Sequence, residues 1–276
     1  MARTSNFVVI STGNHAASDF WPFSRKHMPK PFLDLLGTGK SLLQLTYERC
    51  KAWCDEERIM VATTGPYTEL IKEQLPQLTP QQLLVEPSNR GAAICAAYAA
   101  YKIRKIDPSS VITMVPADHA IFGEIAFARD IGRALEAATA DHKKLLIVGI
   151  KPTKPETRYR YVQYHYDNGG SIKKIKTLTD KPQIELANLF LNSGDFVWNT
   201  DIYVWHVNAI IAAVEKYLPE VAEALAGGID DYGTENEAAF LKRAYSHCKN
   251  TTLSYCILEK TDQHYVLLGN FNWSAI

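Results

Sequence analysis

The chain has 276 residues, 46% of them apolar, with 30 Lys plus Arg set against 30 Asp plus Glu. That length buries one large core or two modest ones, and the balanced charge excludes a general electrostatic pull toward nucleic acid or an anionic membrane. No apolar run approaches the ~18 residues of a membrane span and no charged-then-apolar leader opens the chain, so a cytoplasmic protein with reduced thiols is expected.

The first apolar run, Phe7-Val8-Val9-Ile10, predicts a buried strand. A loop from Ser11 to Phe32 follows it, carrying Trp21-Pro22, Arg25, Lys26 and Lys30. Open α/β sheets bind nucleotides in such a loop, and these cations suit a phosphate ligand. Ser41 to Trp53 predicts an amphipathic helix capped by Ser41. Cys50 and Cys54 lie one turn apart, with no second pair at zinc-site spacing, so they read as buried structural thiols. A strand at 58–63, a helix at 67–75 stopped by Pro76 and a short strand at 82–85 come next. Ala92 to Ile106 is Ala-rich and helical, Val111 to Val115 a strand, Ile125 to Thr139 a helix and Lys144 to Ile150 a strand. The alternation implies an α/β protein with a mostly parallel central sheet and helices on both faces.

After Lys151 the pattern changes. Strands are expected at 159–166 and 171–178 about an Asn168-Gly169-Gly170 turn, with a helix at 185–192. An aromatic strand at 195–205 leads into a helix at 207–217 that ends before Pro219. A Gly-rich loop at 227–234, a helix at 235–248 and a strand at 265–268 complete the reading. A single domain is expected, with a nucleotide-binding half at 1–150 and a sugar-facing half at 151–276.

Asp118 follows a predicted strand. A carboxylate there either holds a divalent metal against phosphate oxygens or caps a turn; the spacing alone does not separate the two. Arg158 and Arg160 could bind an anion, though solvated strand charges are the preferred reading. Glu86 and Arg90 allow a surface ion pair, and Phe196, Trp198 and Tyr203 read as core aromatics.

Several of these segments together resemble the mannose-1-phosphate guanylyltransferase (GDP-mannose pyrophosphorylase) family of sugar-1-phosphate nucleotidyltransferases. Trp21, Pro22, Ser24, Arg25, Pro29, Lys30 and Phe32 match its signature loop. Asn14, His15 and Ala17 stand at its glycine positions, and Asp19 at that of its phosphate-binding Arg. Glu86 and Arg90 match the run beside the base; Lys151 to Val162 matches a further motif with Arg158 and Arg160 in place of two glycines. Lys181 and Asn199 match sugar-pocket motifs, with Asp180 for a Glu and Asp201 for a Gly.

The resemblance implies a Rossmann-like (GT-A-like) nucleotidyltransferase fold. It implies GTP or GDP-mannose and a sugar 1-phosphate as partners, no nucleic acid or membrane, and a homo- or hetero-oligomer. Lys30 and Arg25 would be catalytic, and Gly13, Asn14, Glu86 and Arg90 would bind the nucleotide. Tyr159, Asp180, Lys181 and Asn199 would bind the sugar phosphate, with Asp118 as ligand to Mg2+. Ala275 falls where the family has its second metal-binding Asp, so metal binding is expected to be weak or absent. The family's C-terminal extension is expected to be missing after Ile276. Two activities follow: nucleotidyl transfer through an altered site, or an inactive relative that binds nucleotide or serves as a regulatory subunit.

Overall fold

The computed structural model describes residues 5–13, 20–167 and 169–276. Eleven strands and eight α-helices alternate along the described chain. In order they are β1 (Asn6–Ser11), α1 (Leu42–Lys51), β2 (Ile59–Thr64), α2 (Thr68–Gln74), β3 (Leu83–Glu86) and α3 (Ala92–Ile106). Then come β4 (Val111–Pro116), β5 (His119–Phe122), α4 (Glu124–Ala140), β6 (Leu145–Ile150), β7 (Tyr161–Tyr164) and β8 (Ile172–Thr179). Last are α5 (Ile184–Ser193), β9 (Phe196–His206), α6 (Val207–Tyr217), α7 (Pro219–Ala226), α8 (Glu237–Ser246), β10 (His264–Gly269) and β11 (Asn272–Ala275).

Nine strands form one sheet in the order β3-β2-β1-β4-β9-β6-β10-β8-β7. The pairs β1–β2, β1–β4, β2–β3 and β6–β10 are parallel, while β9 runs against β4 and β6, and β8 against β10 and β7. All strands of this sheet but β8 and β9 therefore point one way. It is the mostly parallel α/β sheet expected from the alternation.

Side chains on a strand alternate between faces, and the core divides accordingly. Phe7 and Val9 of β1 join one cluster with α3, α6, α7 and α8. Val8 and Ile10 join the other with α1, α2 and α4. Burying each such side chain contributes ~1.5–3 kcal/mol. The alanines of α3 are buried along most of its length, so this helix sits close to the sheet. At α1 the Ser41 hydroxyl accepts from the Gln44 amide at 3.2 Å, and the Gln44 side chain accepts from the Ser41 amide at 2.9 Å. This closes a reciprocal cap.

Three features differ from the sequence reading. Pro219 ends α6 as expected but also opens α7, where a missing N–H costs nothing. Residues 119–122 and 272–275, given no strand in the sequence reading, pair as a separate two-stranded sheet. Tyr159 precedes β7 instead of starting it. Residue 168 of the expected turn lies outside the described residues.

Candidate active site

A cleft of about 360 Å³ lies beyond the end of β4. His119, Tyr159, Arg160, Lys181, Asn199 and Asp201 are among its lining residues. The small β5–β11 sheet forms one wall. In its register Ala275 pairs with His119, placing residue 275 beside the Asp118-His119 turn. Burial pushes the His119 imidazole below its ordinary pKa, and its neutral Nδ1 accepts the Trp273 indole N–H at 3.1 Å. The Trp273 and Tyr159 rings sit 4.9 Å apart, and the Tyr159 hydroxyl donates to the Ala275 carbonyl at 3.3 Å.

At the edge of this wall the Lys30 ammonium lies 2.7 Å from the Asp118 carboxylate and also donates to the Ile276 carbonyl. Both side chains are about a quarter exposed.

The opposite wall is charged. Arg160 Nε donates to Asp180 at 2.9 Å, and its Nη1 reaches Asp201 at 3.5 Å. Burial opposes the charge on Arg160, but Asp201, Tyr203 and Asp180 outweigh it and raise the pKa. Asp201 has a left-handed backbone (φ 53°), and Lys181 also has positive φ (38°). The Asn199 side chain holds Asp201 from both ends, accepting from its amide at 2.8 Å and donating to Oδ1 at 3.2 Å. The Tyr203 hydroxyl donates to the same Oδ1 at 2.6 Å. Arg158, also on the cleft, makes a two-pronged pair with Glu156 at 3.1 and 3.2 Å.

A second set of residues gathers at the ends of β1 and β3. Gly13 has φ 76°, and its carbonyl accepts from the Asn89 side chain at 3.1 Å. Gly91 has φ 88°, and a Cβ there would meet the Thr251 carbonyl at 2.1 Å. Only glycine fits this close approach. Glu86 is not a surface ion pair: it is buried and accepts from the Tyr245 hydroxyl at 3.0 Å. Burial pushes its carboxyl up to about 7. Arg90 Nε is buried without a hydrogen-bond partner among the described residues.

The fold thus brings Tyr159, Lys181 and Asn199 onto one cleft, with the Lys30–Asp118 pair at its edge and Asp180 tied to its rim. Gly13, Glu86 and Arg90 lie at neighbouring strand ends. Arg25 is exposed, donates to the Pro22 carbonyl at 3.1 Å and does not line the cleft among the described residues. Asn14 and Asp19 lie outside the described residues.

A nucleotidyl transferase family model matches residues 8–246. The chain belongs to the nucleotidyl transferase family. It is 29% identical over 274 residues to the xanthan biosynthesis protein XanB of Xanthomonas campestris pv. campestris, covering 98% of this chain and 56% of that one. To a mannose-1-phosphate guanylyltransferase of Sinorhizobium fredii it is 28% identical over 262 residues, covering 93% and 50%. A crystal structure described as mannose-1-phosphate geranyltransferase from Thermus thermophilus superposes with a TM-score of 0.87 at 25% identity, covering 99% of this chain and 76% of that one. The chain spans about half the length of the curated relatives it matches.

Nucleotidyl transferases typically use Mg2+, which takes near-octahedral oxygen ligands, one or two of them carboxylates and the rest water and substrate phosphates. Here Asp118 is already faced by an ammonium at 2.7 Å, and the position across from its turn is Ala275. Among the described residues no cluster of three or more His, Cys, Asp or Glu could hold a metal. The residues do not fit a metal resident on the protein alone.

The sequence reading gave no site role to His119, Trp273 or Asp201 and preferred a solvated charge for Arg160. For Arg160 and Asp201 a signal was present. Two positions expected to be glycine carry opposite charges, and the fold sets them 3.5 Å apart.

Proposed function

We propose that this transferase moves a guanylyl group from GTP to mannose 1-phosphate, giving GDP-mannose and pyrophosphate. A phosphate oxygen of the sugar 1-phosphate attacks the α-phosphorus of GTP, and the bond to the β-phosphate oxygen breaks. The observation that carries this reading is the cleft lined by Tyr159, Lys181 and Asn199, with the Lys30–Asp118 pair at its edge through the Ile276 carbonyl. Displacement at phosphorus needs little covalent help; it needs alignment and neutralised charge.

The residues present supply both. Lys30, paired with Asp118, meets the triphosphate at the edge of the cleft. Lys181 and Asn199 hold the acceptor from the facing wall. Gly13, Glu86 and Arg90 form the side toward the base, and Asn89 ties their loop to β1. No step is assigned to a resident metal. Free cysteines, all buried, fit a reducing cytoplasmic setting, and no helix among the described residues is long and apolar enough to cross a membrane.

Calorimetric titration with GTP and with GDP-mannose, each with and without Mg2+, followed by a pyrophosphate-release assay with mannose 1-phosphate, tests the reading. Saturable binding with pyrophosphate release dependent on mannose 1-phosphate is expected. Tight GDP-mannose binding without turnover, or no binding of either ligand, overturns the transferase reading.

A further inference from the structure

We propose that Arg160 is the residue that takes the phosphate of a sugar 1-phosphate in this chain, and that Asp201 is its positioning residue. The inference rests on the sugar-phosphate cleft of the proposed function and specifies who reads the acceptor there.

Arg160 lines the cleft from the segment before β7. Its Nε is committed to Asp180 at 2.9 Å, and its Nη1 reaches Asp201 at 3.5 Å. Nη2 has no protein partner among the described residues. With Nε and Nη1 each engaged once, Nη2 keeps two N–H donors for phosphate oxygens.

Both carboxylates stabilise its charge, and both are partly solvated. The Asp180 side chain is 61% exposed, and pairs of that kind contribute little. Asp201 presents Oδ1, and that oxygen already takes the Tyr203 hydroxyl at 2.6 Å and the Asn199 side-chain amide at 3.2 Å; the Arg160 contact is the longest of the three. Arg160 can therefore give its charge to an incoming dianion without leaving a carboxylate bare. Lys181 lines the same cleft and brings a second cation to it, whereas Arg158 is paired with Glu156.

Asp201 is held where it is at a cost. Its left-handed backbone is strained for a residue with a Cβ, though less for Asp than for most. Three donors on one oxygen fix its rotamer. A fixed carboxylate facing the inner edge of Arg160 sets the plane of the guanidinium before ligand arrives. Arginine and aspartate at these two positions act as one unit.

The test measures binding of α-mannose 1-phosphate and of inorganic phosphate by calorimetry in the full chain and in Arg160→Met, Arg160→Lys, Asp201→Asn and the Arg160→Met/Asp201→Asn double variant. GTP affinity is measured beside each, and unfolding midpoints check that every variant folds. Arg160→Met is expected to weaken mannose 1-phosphate tenfold or more and leave GTP within about twofold; Arg160→Lys is expected to fall between. Asp201→Asn is expected to weaken the sugar phosphate on its own and to add nothing in the Arg160→Met background. That non-additivity would not arise from a merely structural role. Mannose 1-phosphate affinity unchanged in Arg160→Met, or no binding of either phosphate probe to the unaltered protein, overturns the proposal even if GTP binds and turns over. Arg160-dependent binding of mannose 1-phosphate without GTP binding would keep the proposal and sink the guanylyl transfer.

Discussion

A carboxyl group taken out of water holds its proton more tightly, and Glu86 is buried at the end of β3 with Tyr245 and Cys95 as hydrogen-bonding neighbours. Burial dominates and pushes it up to about 7, against an ordinary value of 4.5. The sign follows from linkage. Below pH 4.5 both the folded and unfolded chains carry the proton, and Glu86 has no effect on stability. Between there and 7 the unfolded chain ionises while the folded one does not, so stability falls as pH rises. Above 7 the loss is complete, on the order of 3 kcal/mol. Glu86→Gln keeps an acceptor for Tyr245 and removes the titration. Its unfolding free energy relative to the parent chain is expected to climb between about pH 4.5 and pH 7; a flat difference would mean Glu86 is ionised in the folded protein. At the same scale, Lys30→Met is expected to lower pyrophosphate release by about 10²-fold or more, as losing one aimed donor does. It should change stability by less than about 1 kcal/mol, because the Lys30–Asp118 pair is partly solvated. A rate within a few fold of the parent would remove Lys30 from the chemistry.

Among the elements, α3 shows how a helix start can be set by a distant loop. Gly91 is its cap at φ 88°, the Thr251 amide donates to the Arg90 carbonyl at 3.0 Å, and a Cβ at 91 would lie 2.1 Å from the Thr251 carbonyl. Gly91→Ala is expected to destabilise by about 2–4 kcal/mol, combining left-handed strain with overpacking. Ser41→Ala, which opens the reciprocal cap of α1, is expected to cost about 1 kcal/mol. Denaturant midpoints at constant slope check both, and a Gly91→Ala variant as stable as the parent would show that residue 251 yields. The contrast marks what is legible in sequence. The Ser41 cap, the Ala-rich span of α3 and the bounds of α6 depend on neighbours within a few residues, and pattern alone locates them. The Gly91 contact, the β5–β11 pairing and the start of α7 depend on chain more than a hundred residues away or on a proline read only as a stop. Motif spacing likewise places Lys30, Asp118, Lys181 and Asn199, but no local signal shows that Arg160 and Asp201 face each other, since 41 residues separate them. Glu86 was legible as a position and not as a buried acid, because burial is set by Tyr245 of α8.

Over the whole molecule the order of strands decides how the chain unfolds. β9, from the second half, lies between β4 and β6, both from the first. It pairs with β4 from Val111↔His206 to Met114↔Tyr203 and with β6 from Leu145↔Trp205 to Ile150↔Trp198. β10 then covers the other edge of β6 along its full length. Residues 1–150 on their own would leave β4 with one bare edge and β6 with two. Their buried backbone groups would lose partners, and the exposed apolar edges would template aggregation. Both core clusters also draw on both halves: Phe7 and Ile112 share one with Tyr203 and Val266, and Val8 and Leu146 share the other with Val204 and Leu267. The two halves are therefore expected to melt together. Tryptophan fluorescence, which reports Trp21 and Trp53 in the first half and Trp198, Trp205 and Trp273 in the second, should follow the same transition as far-ultraviolet circular dichroism. The calorimetric and van't Hoff enthalpies should agree. An excised 1–150 fragment should lack that cooperative transition. A fragment that melts cooperatively, or two separated transitions in the full chain, would show that β4 and β6 close without β9 and that the halves are independent units.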